Sequence, residues 1–538
     1  MTGQVIYLNG RVYTGDRLAE AVGVEGDRIR AVGTLAHVRK ALGRGAHELD
    51  VGGRTVLPGF VDAHNHFLAT GEELSGLDVR YPRVGSIEEL VSAVRAAAEE
   101  TPAGRWIRGF GMDYAKYPQG RLPTRHDLDG ATRDHPVAIA HVSGHFVLAS
   151  SAALAVRGVT DDTPDPKGGA LARDGEGRLT GLCLDTAMGL VLPVAVDIGC
   201  HGPNFHFKVP LEDHLAGLER ATDAYLAAGL TTVGDAQVTR RELTVYSEAR
   251  RRGLLRIRTV CMPLSSQLDE LLALGLTGPF GDEMLSIGPM KFYADGTLIG
   301  GTAAFREPYG RHGEFLGSTY WEPDELAEMV GRAHTGGWQV GIHVQGDRAM
   351  EMTLDAIEGA LRASPRDDHR HRLEHAGYPT GDQLRRIASL GVTTVDQPLY
   401  LHDSGDEFIA RLGGRAHRLQ PLRDELELGI PVVLSSDSFV ASYRPLETIQ
   451  AAVLRRTREG EPIGADQALT VEEAVHSYTV EAARSLGLED RIGSLEPGKL
   501  ADLVVLDGDL FTTPPERIAE LPVWLTVVGG EPAWRTAA

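Results

Sequence analysis

Apolar and polar positions along the chain follow two different periods. From residue 3 to about 57, and again in ADLVVLDGDL and PVWLTVVGGEPAW near the other end, they alternate between Gly, Asn and Asp turns, as short half-buried strands do. Two terminal blocks of one texture predict a small β-sandwich made from both termini, residues 1–57 and 491–538. Between them, short and wholly apolar runs take turns with amphipathic stretches, which is what a parallel sheet buried on both faces requires. Eight such runs stand out, at 56–63, 231–236, 256–262, 288–294, 339–344, 371–376, 392–397 and 431–436. The stretches between them, among them LEDHLAGLERATDAYLAAG, PDELAEMVGRAHTGG, AMEMTLDAIEGALRAS and GDQLRRIASLG, have helical spacing, and several close on Gly. The prediction is an α/β fold, a (β/α)₈ barrel over 58–490.

Residues 67–210 break the repeat. They hold extra strand-like pieces, RWIRGFGMD and PVAIAHVSGH, and a turn-rich stretch, DDTPDPKGGALARDGEGRLTG. An inserted subdomain after the first barrel strand is predicted, and because loops after barrel strands open on the C-terminal face, it should roof the pocket. Its aromatic residues Trp106, Phe110, Tyr114, Tyr117 and Phe146 would suit an apolar substrate group, although ordinary packing explains them equally.

Composition narrows the function. With 54 Lys and Arg against 75 Asp and Glu the net charge is −21, which repels phosphate backbones and anionic membranes, so no nucleic-acid partner and no membrane partner are expected. No run of about 18 apolar residues occurs and the N-terminal segment has no signal-like pattern, so a cytoplasmic protein is expected. Cys183, Cys200 and Cys261 are widely spaced, which supports neither a disulfide framework nor a cysteine metal site.

The chemistry lies at the strand ends. His64 and His66 in PGFVDAHNHF form a His-x-His pair whose imidazoles fall on one side of the pleat, and both can reach one ion. His343 in GIHVQGD, His375 in RLEHAG and Asp437 in VLSSDS each follow an apolar run. One buried histidine is ordinarily a satisfied core residue. Four with an aspartate, converging on one barrel mouth, would be an unpaired polar cluster without a cation. Lys291 in GPMKFYADG ends a fifth strand, where burial would lower its pKa and allow a neutral amine to add CO₂ as a metal-bridging carbamate. The alternatives are a charged Lys291 that holds a substrate carboxylate or pairs with Asp295. Asp62 could orient a ligand or shape a turn, and Asp347, opening a helix, is read as its cap.

These motifs resemble the amidohydrolase superfamily, in the family 3 subgroup related to N-substituted formamide deformylases. The resemblance rests on VLPGFVDAHNHF, KFYADGT with GGTAAFREPYG, IHVQGDRAM, RLEHAG, LSSDSFV and GSLEPGKLADLVVLDGD, and in the insertion on WIRGFGMD, LPTRHDLD, HVSGHFVLASSAAL and TGLCLDTA. It implies a metal-dependent hydrolase of C–N bonds other than peptide bonds, acting on a small amide, N-substituted formamide or cyclic amide. One or two divalent ions are expected, zinc first among them. By the resemblance, His64, His66 and Asp437 would hold the more buried ion, His343 and His375 a second, and Lys291 would bridge them. Asp437 would also serve as the catalytic proton acceptor, and His145 would face the substrate. Deamination, decarboxylation or hydration on the same site, or an inactive binding protein, are the competing readings, and a homodimer is left open.

Overall fold

The computed structural model describes residues 3–536 apart from Lys167 and Pro193, both of which belong to the expected insertion. Eight parallel strands form the barrel: Phe60–Asn65 (β1), Leu230–Val238 (β2), Arg258–Pro263 (β3), Met290–Tyr293 (β4), Val340–His343 (β5), Arg372–Glu374 (β6), Thr393–Asp396 (β7) and Val432–Leu434 (β8). They pair in sequence order within two sheets, one holding β1 to β3 and one β4 to β8. A parallel bridge between Leu264 and Lys291 joins β3 to β4. At the other seam, Asp437 N–H donates to His64 C=O at 2.9 Å and His66 N–H to Ser438 C=O at 2.7 Å. The ring is thus closed through the backbone of the candidate metal ligands.

The helices start and stop where their termini dictate. Arg240–Arg252 begins at a Thr239/Glu242 capping box, carries three arginines in its last turn and ends on Gly253 at φ 73°. That arrangement satisfies the terminal N–H groups and opposes the helix dipole with cations. Inside the barrel, Val61, Ala63, Val260, Val395 and Val433 pack on Ala482, Ala483 and Leu486, so the helix Val480–Ser485 plugs the end opposite the candidate metal ligands. Each such valine or leucine contributes about 1.5 to 3 kcal/mol when buried.

The expected first strand, 56–63, is two strands. Thr55–Pro58 pairs antiparallel with Leu503–Leu506 in the terminal sheet, and β1 starts two residues later. Gly59 lies between them, where a Cβ would meet the Thr231 side chain at 2.2 Å, so the chain can cross from one sheet to the other only with no side chain there. The terminal strands form one eight-stranded sheet drawn from both ends of the sequence. It folds over a shared core in which Val22, Val24 and Ile29 meet Leu503, Val505 and Leu525.

Residues 77–185 of the insertion build a six-stranded sheet whose neighbours run Gly169–Arg173, Leu179–Asp185, Phe146–Ala149, Val137–His141, Ile107–Met112 and Leu77–Asp78. Most of its aromatic residues are packing. Phe110, Tyr117 and Phe146 are buried in its cores and Trp106 packs against one of them. Tyr114 alone of the five lines an open cavity. Among the described residues, the three cysteines are unpaired and no helix is long and apolar enough to cross a membrane.

Candidate metal centre

The C-terminal strand ends bring His64, His66, His343, His375 and Asp437 around one cavity, together with His145 from the insertion. Ligand atoms of His64, His375 and Asp437 lie within 4.8 Å of one another. Asp437 Oδ1 sits 3.0 Å from His66 Nε2 and 3.3 Å from His64 Nε2. It has no hydrogen-bond partner among the described residues although it is buried. The His375 ring lies 4.9 Å from that of His64 and 4.4 Å from that of His343. His375 therefore reaches His64 and Asp437 as well as His343, a tighter grouping than the expected division into a set of three ligands and a set of two.

Hydrogen bonds fix which nitrogen is available in three of the four candidate ligand rings. His64 Nδ1 is 2.5 Å from Glu374 Oε2, His375 Nδ1 is 2.7 Å from Gln397 Oε1, and His343 Nε2 is 3.0 Å from Gly296 C=O. Each partner is an acceptor, so that nitrogen carries the proton and the other keeps its lone pair. Burial also lowers His66 to about 4, His375 to about 3 and His343 well below the ordinary value. Burial pushes the Asp437 carboxyl up, but His64 and His66 outweigh it and hold it well below the carboxylate range. Neutral imidazoles, one carboxylate and an orphaned buried oxygen are a donor set that fits a divalent cation.

The backbone at the site is strained. His375 and Asp437 have φ of 74° and 52°, and Asp185, which accepts a 2.6 Å bond from His145 Nδ1, has φ 50°. For residues with a Cβ this conformation costs on the order of 1–3 kcal/mol each and persists where surrounding structure imposes it. Part of that constraint is visible: Tyr400 OH donates to Asp437 Oδ2, and Tyr320 OH to Asp185 Oδ1 at 3.0 Å.

Lys291 is fully buried, with Nζ 3.5 Å from His64 Nε2 and 4.5 Å from the centre of the Tyr293 ring. Burial brings its pKa down to about 8. The pairing with Asp295 does not form, because that carboxylate accepts the backbone N–H groups of Ala304, Gln345 and Gly346. Asp347 is not a helix cap. Gly346 occupies the cap position, and Asp347 Oδ1 instead accepts Arg306 N–H at 2.9 Å, tying down the loop after β4. Asp62 bonds Ser436 N–H and Oγ and Asn65 Nδ2, so it holds the β1/β8 seam next to Asp437.

Several participants were not evident in the sequence. Glu374 is clamped by Arg372, with Nε to Oε1 at 2.5 Å and Nη2 to Oε2 at 2.8 Å, and both residues are fully buried. The available signal was a pair of opposite charges two residues apart inside an apolar strand. The aromatic wall of the cavity comes from Phe205, Tyr293, Tyr400 and Phe439.

With this geometry, the comparisons with known proteins are decisive. Residues 47–533 match the model of the amidohydrolase family. The chain belongs to that family. The amidohydrolase is 32% identical to the N-substituted formamide deformylase of Arthrobacter pascens, over 98% of this chain and 97% of that one. It is 30% identical to the protein LONG AFTER FAR-RED 3 of Arabidopsis thaliana, over 99% and 91%. Its fold is similar to that of an uncharacterized metal-dependent hydrolase from Pyrococcus horikoshii, with a TM-score of 0.77, 27% identity and coverage of 96% and 99%. The amidohydrolase is a metal-dependent hydrolase acting on carbon–nitrogen bonds of small molecules, and the barrel is the fold expected from the strand pattern.

Proposed function

We propose that the amidohydrolase cleaves the C–N bond of a small N-substituted formamide or a related amide. Two observations support the substrate class: the relative at 32% identity is named for that activity, and the cavity at the metal ligands holds only about 20 Å³, close to the volume of one water. A formyl group carries a hydrogen where other acyl groups carry a chain, which suits so small a chamber.

In this reading His64, His66, His343, His375 and Asp437 hold one or two divalent ions, zinc first. When bound, the cation supplies an acidified water and an electrophilic centre for the carbonyl oxygen. Asp437, ionised and steadied by Tyr400, accepts the proton of the attacking water and returns it to the leaving nitrogen. Water adds to the carbonyl carbon, the C–N bond breaks, and formate and an amine leave. His145 gives its Nδ1 proton to Asp185 and faces the same chamber 5.7 Å ring to ring from His343, and when its Nε2 also carries a proton that nitrogen donates a hydrogen bond to the developing oxyanion. Lys291 is placed to add CO₂ with loss of a proton, giving an anionic carbamate beside His64 that would offset the repulsion of a second ion.

The observation that carries the proposal is the unpartnered Asp437 Oδ1 set between two imidazole nitrogens. Elemental analysis with turnover of an N-substituted formamide panel tests it. Metal-replete protein that cleaves no formamide but deaminates or decarboxylates would favour the competing chemistry. Full activity in rigorously metal-free protein would refute the metal role.

A further inference from the structure

Outside the metal chamber, two adjoining cavities of about 420 and 410 Å³ share Tyr81, Asp113, Lys116 and Asp403 along their walls, forming one vestibule. Ile299 is the residue that lines the chamber and both lobes. The backbone that carries it is fastened from two sides. Arg411 Nη1 donates to the carbonyls of Leu298 at 2.9 Å and Ile299 at 2.7 Å, and Leu298 N–H donates to Gln345 Oε1 at 2.7 Å. Arg411 is itself held by Glu407 at 2.7 Å.

We propose that Ile299 is the size-selecting gate between chamber and vestibule, with Arg411 as the positioning residue that holds it. The proposal rests on the amide-hydrolase reading. The smaller side of the amide stays in the chamber, the larger passes Ile299 into the vestibule, and an amide with bulk on both sides is excluded. Three features carry this: the roughly twentyfold difference in volume, taken from 20 and 420 Å³, the place of Ile299 at the meeting of all three cavities, and the bonds that keep its backbone from swinging away. A gate on a loose loop would yield to a larger group, whereas this one costs hydrogen bonds to move.

The test compares N-benzylformamide with N-benzylacetamide and N-methylformamide on metal-replete protein. The wild type should prefer the formamide over the acetamide by at least about tenfold, since a single added carbon in a tight pocket changes rates by roughly 10- to 200-fold. Ile299→Ala should shrink that preference about tenfold, and Ile299→Trp should lose the benzyl substrate while keeping N-methylformamide. Arg411→Met should relax the preference in the direction of Ile299→Ala with metal content unchanged. Equal preference in wild type and both Ile299 variants would overturn the gate. If the wild type cleaves no amide, the hydrolytic reading has failed and the gate is judged by binding alone. The ratio of affinities for imidazole and 4-phenylimidazole should then differ about tenfold between the Ala and Trp variants, and an unchanged ratio overturns it.

Discussion

Two histidine clusters occupy opposite ends of one barrel, and β6 reaches both, with His371 just before it and His375 just after. At the plugged end, every ring nitrogen of His334, His369 and His371 has a partner. His334 Nδ1 meets His371 Nε2 at 2.9 Å, His371 Nδ1 accepts Val340 N–H at 3.1 Å, and His334 Nε2 reaches Ser364 C=O at 2.6 Å. His369 Nδ1 accepts His371 N–H at 2.9 Å and Nε2 reaches Leu390 C=O at 2.8 Å. At the open end His145, His343 and His375 are each anchored through one nitrogen, His64 is anchored by Glu374 through Nδ1 and meets Lys291 Nζ at 3.5 Å through Nε2, and the Asp437 oxygen nearest His64 and His66 has no hydrogen-bond partner among the described residues. Three buried histidines gather at the plugged end and five at the open end, so a cluster of buried histidines does not by itself mark a metal site. Incomplete pairing does, because an unmet polar atom in the interior costs about 1–3 kcal/mol unless a ligand meets it.

The widest separation should come from removing one histidine from each end. His64→Ala is expected to lose bound metal in elemental analysis and to reduce turnover beyond the roughly 100-fold upper range seen when only a supporting group is altered. His371→Ala is expected to cost about 1–3 kcal/mol in denaturant unfolding, since Val340 N–H and His334 lose a partner, with turnover per folded molecule and metal content unchanged. Metal loss in His371→Ala would erase the distinction.

Next in size is Asp437→Asn. Its amide cannot take a proton from water, so kcat should fall by about 10² to 10⁴ while metal stays bound. A near wild-type kcat in metal-replete protein would remove Asp437 as the base.

Glu374→Gln sharpens the same contrast one contact further out. Its carboxylate fixes the His64 tautomer, and metal affinity measured by competition with a chelator should drop about 10- to 100-fold. His145→Ala should lower kcat and leave that affinity alone. If His145→Ala strips the metal instead, the ligand set is wrong.

The smallest effect is on pH dependence. His66 and His375 are held near 4 and 3 when folded against 6.5 unfolded, so the unfolded chain binds more protons as pH falls below 6.5. Stability of the metal-free protein therefore decreases from pH 6.5 toward 4, by roughly 1 kcal/mol per pH unit for each such histidine. Burial also lowers His371 and His369 at the other end, so they add to the same slope. Saturating metal should extend the open-end part of that fall below about pH 4, because coordinated imidazoles take up no protons in the folded state while the unfolded chain still does. A fall that levels off at the same pH with and without metal would mean the ion does not contact these rings.

Much of this contrast was legible in the sequence because strand ends are a matter of pattern. Eight apolar runs located the barrel, and a histidine or aspartate directly after such a run has one place to go. That argument reached His64, His66, His343, His375 and Asp437, and Lys291 by the same logic. It did not reach Gln397, Tyr400, Asp185 or Glu374, whose roles depend on side-chain hydrogen bonds across elements far apart in the chain. It also merged Thr55–Pro58 with β1, since an apolar pattern continues across Gly59 while the hydrogen-bond partners change. The roof aromatics were ambiguous for a related reason: pattern shows that Phe110 and Phe146 are buried, but not whether they face a core or a ligand.

The split at Gly59 has a consequence for the order of assembly. Thr55–Pro58, the strand just before β1, pairs with Leu503–Leu506, about 450 residues further along the chain, as well as with a strand made early. During synthesis the partner of Thr55–Pro58 emerges after all the candidate ligands, and so non-local a pairing is slow to form. Secure ion uptake should therefore follow completion of the chain instead of accompanying it. A chain arrested before Leu503 should acquire metal poorly even though every ligand has already been made, and stoichiometric uptake by such a truncated chain would show that the barrel matures without its terminal clasp.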